Sequence, residues 1–346
     1  MKLFTCACRQ LVFFESVTCT RCGRALAFLP DRQQVAALEP YEGAWRVAEE
    51  SGRYRLCRNY TEQAVCNWAI PADEPGDYCR SCRLDQVIPN LGHAGTKEAW
   101  HRLEIAKRRL LYTLIDLGLP LEGKTEDPGK GLAFQFLEAL PGGEQVSTGH
   151  ERGIITIDIA EADDPFREKM RVQMGEAYRT LLGHFRHEIG HHYWERLIET
   201  SDRLTGFRER FGDERADYAR AQQRHYDQGP PADWGSRFVS AYASMHPWED
   251  WAETWAHYLH MTDTLETARA YGLVVRPEGA SAPAVRTRRL DLHHFEDLTS
   301  GWVPLTMALN SLNRSMGLPD IYPFVLSETA VAKLRFVHEV IEQTSG

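Results

Sequence analysis

Apolar positions along the chain recur with two different periods, and the change of period divides it. Over residues 153–160, GIITIDIA, the isoleucines Ile155, Ile157 and Ile159 alternate with polar neighbours, which predicts a strand; the preceding LAFQFL predicts another. Elsewhere the helical period dominates. Trp100, Leu103, Leu110, Leu114 and Leu117 fall on one side of a helix expected to start at an N-cap Thr96 and to end before Gly118 and Pro120. Asp163 or Asp164 with Pro165 marks another helix start. From there a helical reading continues, with breaks at Gly175 and Gly183, to about Thr200. Further helices are expected over Phe211 to Tyr226, through HPWEDWAETWAHYLH, through GWVPLTMALNSLNRSMG, and after a Ser327 cap with Val331, Leu334, Val337, Val340 and Ile341 inward. The residues from Asp85 to Gly95 read as a linker, and GPPADW as a rigid loop.

The first 82 residues carry neither pattern strongly and hold all eight cysteines, as Cys6-x-Cys8 with Cys19-x2-Cys22 and Cys57-x8-Cys66 with Cys79-x2-Cys82. Close thiol pairs separated by a loop can close a tetrahedron around zinc, one pair from each knuckle. Two closed, structural zinc sites are therefore expected. Each would supply much of the folding free energy of a segment too poor in apolar residues to build its own core.

Composition narrows the function. With 43% hydrophobic and 26% charged residues among 346, the chain has the makeup of a soluble globular protein. The net charge of −9 argues against a nucleic-acid or membrane surface. Residues 1–90 repeat the point: eleven Lys and Arg balance eleven Asp and Glu, and two four-thiolate zinc sites would add negative charge. The ribbons are better suited to docking a protein or presenting a substrate. No apolar run approaches a membrane helix, and Met1 to Cys6 lacks the apolar core of a secretion signal, so the cytoplasm is the expected compartment.

Candidate chemistry centres on His187-Glu188-Ile189-Gly190-His191. Residues four apart share a helix face, so both imidazoles can reach one ion, and Glu188 faces the open side where a water would bind. A catalytic zinc keeps three protein ligands, so a third is needed. Glu249 in Glu249-Asp250-Trp251-Ala252-Glu253 is the first choice. Glu253, one turn on, is the next; Glu214 in GDERADYA and His246 remain open. Whichever of Glu249 and Glu253 does not bind the ion could orient a ligand histidine, and Ala252 would permit close packing on the metal helix. His184 lies on the same face as His187 and reads as a packed or solvated histidine, with a supporting contact to the site as its other reading; His192 points elsewhere. The chemistry implied is metal-assisted hydrolysis, with Glu188 as general base.

The cysteine knuckles, LLGHFRHEIGHHYW, DERADYA, GPPADW and HPWEDWAETWAHYLH together resemble a bacterial family of zinc-binding metallopeptidases with an N-terminal zinc-ribbon region, over nearly the whole chain. The active-site half is similar to the gluzincin pattern, and its spacing to the catalytic domain of anthrax lethal factor, in which a tyrosine precedes the ligand glutamate by seven residues. Tyr242 matches that place. The resemblance implies that its hydroxyl donates to the oxyanion of a tetrahedral intermediate.

The expected protein is α+β: a zinc ribbon over 1–35, a second ribbon and linker over 36–95, and a mainly helical gluzincin-like domain over 96–346 with a short sheet. Its expected cofactors are one catalytic and two structural zinc ions, and its substrate is a peptide or protein. A zinc-stabilised interaction module without turnover and a hydrolase of non-peptide amides are the rival readings.

Overall fold

The computed structural model describes residues 2–48, 52–139, 146–174, 178–278 and 284–345. Two compact units divide the chain, Met1–Asp164 and Pro165–Gly346.

The first unit is built on strands. A short hairpin of β1 (Phe4–Thr5) and β2 (Leu11–Val12) precedes a five-stranded antiparallel meander. Its strands are β3 (Ala25–Leu29), β4 (Gln34–Tyr41), β5 (Ala44–Val47), β6 (Arg53–Leu56) and β7 (Ala69–Pro71), in that order, with a one-turn helix α1 (Arg58–Thr61) before β7. One sheet thus serves both cysteine sets. Its buried face, with Ala27, Leu29, Leu38, Val47 and Tyr54, forms a small core, while Phe4, Phe14, Phe28, Trp68 and Tyr112 make an aromatic cluster beside it.

A second, four-stranded sheet has the order β10 (Gly149–Glu151), β11 (Ile154–Asp158), β9 (Ala133–Leu137) and β8 (Asp85–Val87). Both expected strands are present, and Ile155 and Ile157 are buried as their alternation requires; Ile159 instead opens a single 3₁₀ turn. The expected linker is different at its start, because Asp85–Val87 pairs in parallel with β9. Its anchor is electrostatic. Helix α2 (Thr96–Asp116) buries Lys107, whose ammonium is paired with Asp85 and lies 2.6 Å from Glu104, and Arg108 lies 3.1 Å from the other oxygen of Glu104. Thr96 is the first helical residue, after Gly95, rather than the cap.

The second unit is helical. Its elements are α3 (Asp164–Met174, opening at the unit boundary), α4 (Leu181–Leu197), α5 (Arg203–Phe211), α6 (Tyr218–Gln228), α7 (Pro247–Tyr271), a hairpin of β12 (Val274–Val275) and β13 (Val285–Arg286), α8 (Phe295–Ser315) and α9 (Glu328–Ser345). Gly175 lies outside the described residues. Gly183 does not break the helix: Thr180 caps α4 by accepting the Gly183 N–H at 3.0 Å. The helix expected over Phe211 to Tyr226 starts later, at Tyr218, and a separate helix, α5, precedes it. Gly212, at φ +102°, ends α5, and the Asp217 side chain caps α6 by accepting from the Arg220 N–H.

Helices α4 and α7 form the centre of this unit. They approach so closely at Gly190 that a methyl group there would stand 3.0 Å from Ala252 Cα and 3.2 Å from Trp255 Cβ. Trp251, Trp255 and Tyr193 fill the seam, and the Trp251 indole donates to the Gly190 carbonyl at 2.9 Å. Helix α9 supports α7 from behind: buried Lys333 holds Asp250, the neighbour of Glu249, at 2.6 Å. Among the described residues no helix is long and apolar enough to cross a membrane.

Candidate metal centres and active site

Each cysteine set is gathered into one cluster, and all eight thiols are free. In the first, Cys6 lies 3.6 Å from Cys22 and Cys8 3.6 Å from Cys19; in the second, Cys66 lies 3.7 Å from Cys79. Thiolates bonded to zinc at about 2.3 Å in a tetrahedron stand about 3.8 Å apart, so these spacings fit an ion's ligand shell. Backbone N–H groups point at the sulfurs, from Trp68 to Cys66 at 3.3 Å and from Cys79 to Cys57 at 3.4 Å. In the Cys6–Cys22 cluster the Arg24 backbone N–H draws the pKa of the Cys22 thiol down to about 6, favouring the thiolate that a metal binds, whereas burial pushes that of Cys6 up to about 12, so that a bound ion would have to displace its proton. A nearby grouping of Cys82, Asp85 and Glu104 is already neutralised by Lys107 and Arg108 and is an ion-pair network.

The other site is made of nitrogen and oxygen. The first turn of α7 is set by Pro247 and by His246, whose Nδ1 accepts the Trp248 N–H at 3.1 Å and whose Nε2 faces the Ala216 carbonyl at 3.0 Å. Those bonds make His246 a cap and remove it from the ligand candidates. They aim Glu249 at α4, where its Oε2 stands 3.0 Å from His187 Nε2 and 3.6 Å from His191 Nε2. For metal bonds of about 2.0–2.1 Å, tetrahedral ligand atoms lie about 3.3 Å apart. Glu249 is 2% exposed, and its Oε2 makes no hydrogen bond among the described residues although two imidazoles face it. Three donor atoms directed at a common point, one of them a buried carboxylate oxygen facing two ring nitrogens, fit a divalent ion.

One turn along α7, Glu253 meets the far side of the same imidazole: its Oε1 is 2.7 Å from His187 Nδ1, and its Oε2 accepts from the Ser240 hydroxyl at 2.6 Å. A proton fixed on Nδ1 leaves the Nε2 lone pair free for metal. Burial opposes charge on His187, but the Glu249 and Glu253 carboxylates outweigh it and raise its pKa well above the usual value. Glu249, disfavoured as an anion by burial, is nevertheless held well below the carboxylate range by His191 and His187.

Glu188 is buried and stands outside the donor trio. Burial raises its pKa, but His184, with Nε2 3.4 Å from its Oε1, and the other imidazoles bring it below the ordinary value, so it is ionised. His184 is therefore a neighbour of the candidate base. Glu214 is in an ion pair with Arg208, 3.0 Å from its Nε, and takes no part. His192 is buried with its ring against Tyr193. Tyr242, in a turn before α7, has its ring 6.0 Å from that of His187. Trp248 stacks on His191 with centroids 5.0 Å apart.

Sequence reasoning singled out neither Tyr218 nor Ser240. Tyr218 opens α6 and donates its hydroxyl to Glu249 Oε1 at 2.9 Å. Its signal was the DERADYA segment itself, in which Asp217 caps the helix and so presents the next residue at its start.

A model of a family described as "Putative zinc-binding metallo-peptidase" matches residues 96–340, and one for a zinc-ribbon domain matches residues 3–93. "Uncharacterized protein Mb2598c" of Mycobacterium bovis and "Uncharacterized protein Rv2568c" of Mycobacterium tuberculosis are each 45% identical over 347 residues, covering 100% of this chain and 96% of theirs. No solved structure matches. A cysteine-rich zinc-ribbon region precedes a helical domain here as in that pairing of models, and the chain belongs to the family of putative zinc-binding metallo-peptidases.

Proposed function

We propose that the chain is a zinc-dependent peptidase in which His187, His191 and Glu249 hold the catalytic ion, and that two further zinc ions sit in the cysteine clusters. The observation that carries this reading is the donor trio with a buried, ionised carboxylate, Glu188, next to it in sequence and left out of it. A structural site is ordinarily closed by a fourth protein ligand.

When bound, zinc supplies Lewis acidity, polarising a peptide carbonyl and acidifying a water molecule. The residues do the rest. Glu188 accepts the proton of the attacking water and returns it to the departing amine. Tyr242, whose phenol burial keeps protonated, donates to the oxyanion. Glu253, steadied by Ser240, keeps His187 in the tautomer and orientation that ligation needs. The substrate is a peptide or protein, and the compartment the cytoplasm.

The test is a peptide-cleavage assay on Glu188→Gln. Hydrolysis should fall by about 10²–10⁴-fold with zinc content unchanged. Undiminished hydrolysis removes Glu188 from the chemistry, and inertness of the wild type against every peptide leaves a zinc-stabilised interaction module, the reading that the two cysteine clusters favour.

A further inference from the structure

Glu249 has two oxygens with different partners. Oε2 faces His187 Nε2 at 3.0 Å and His191 Nε2 at 3.6 Å, while Oε1 accepts from the Tyr218 hydroxyl at 2.9 Å. The phenol comes from a separate helix. Tyr218 is the first residue of α6, fixed there by the Asp217 cap, and its ring lies 5.2 Å from that of His246, the cap of the helix that carries Glu249. The starts of α6 and α7 are also joined through the Ala216 carbonyl and His246 Nε2 at 3.0 Å. The position of the hydroxyl is thereby tied to that of the carboxylate.

A carboxylate can bind an ion through one oxygen or both. With both engaged, Glu249 and two imidazoles would fill four positions and crowd the place where water and substrate must enter; with one, the fourth position stays open. We infer that Tyr218 is a positioning residue that occupies Glu249 Oε1, restricts the carboxylate to ligation through Oε2, and so keeps a place free at the metal. The inference rests on the reading of His187, His191 and Glu249 as a zinc site.

The experiment uses the full-length protein and its Tyr218→Phe variant. Labile zinc is removed with a mild chelator, leaving the cysteine sites loaded. Zinc affinity is then measured by competition with a chromophoric chelator, and cobalt(II) is titrated into the emptied site. Wild type should take up one ion and give the intense visible bands of a four-coordinate centre. Tyr218→Phe should bind zinc about 10- to 100-fold more weakly, the usual effect of losing a ligand's hydrogen-bond partner. Its cobalt bands should weaken as the freed carboxylate chelates and the coordination number rises, with thermal unfolding of the protein stripped of labile zinc unchanged. Cobalt spectra identical in the two proteins overturn the inference whatever the affinities. A wild type with no labile zinc defeats the metal-site reading instead, so the two failures are distinct.

Discussion

The molecule has two kinds of candidate metal site, and they differ in what surrounds the donors. In the cysteine clusters four sulfurs face one another, and their outer contacts are mainly backbone N–H groups, with one guanidinium, that of Arg24, 3.8 Å from Cys22. At the helical site three donors meet, and the outer contacts are side chains: Glu253 on His187, Ser240 on Glu253 and Tyr218 on Glu249. A site closed by four ligands and wrapped in backbone can only hold its shape. A site with three, supported by groups that orient each ligand separately and with an ionised carboxylate left over, can also exchange water and move a proton.

That contrast is broken most severely in the cysteine region. Cys79→Ser removes a fully buried ligand of the inner cluster, and structural zinc contributes on the order of 10 kcal/mol in small zinc-dependent modules. Loss of one zinc per chain and rapid proteolysis of residues 1–93 are the expected results; an intact, fully loaded variant would show that the cluster does not hold the fold.

Glu188→Gln comes next, with its loss of about 10²–10⁴-fold in turnover at full zinc occupancy. Smaller is Glu253→Gln, which removes the carboxylate that orients His187 and should weaken labile zinc about 10- to 100-fold in a chelator competition while the cysteine-bound ions stay. Acid should act on the same histidine. Because Glu249 and Glu253 raise the His187 pKa above its ordinary value, the proton competes for Nε2 at higher pH than at an ordinary imidazole. Labile zinc affinity should therefore fall as pH falls through that pKa, by up to about tenfold per pH unit for each proton displaced. Affinity independent of pH between 5 and 8 would contradict it.

The smallest change is Gly190→Ala, whose methyl group meets the Ala252 backbone and Trp255 Cβ with little room to yield. A cost of about 1–3 kcal/mol and a lower melting temperature are expected for the helical unit, with the cysteine clusters unaffected.

How much of this was legible depended on the range of the forces. His187 and His191 are one helical turn apart, so their convergence follows from period alone, and the spacing of Glu249 and Glu253 on α7 did the same for the two carboxylates. Tyr218 lies 31 residues before Glu249 on another helix, and no local pattern records that meeting. Helix α5 was passed over because Gly206 and a run of charges mask its apolar pair, Phe207 and Phe211, which are buried one turn apart. Asp85 read as linker because its strand is held by a buried lysine 22 residues away. Long-range pairing of polar groups, rather than apolar periodicity, is what the sequence concealed.

The most direct test is to count zinc by native mass spectrometry before and after mild chelation, in wild type and in Glu249→Ala. Three ions falling to two in the wild type, with two from the outset in the variant, is the predicted result. Two ions in untreated wild type, or three retained without Glu249, would contradict an exchangeable metal held by His187, His191 and Glu249.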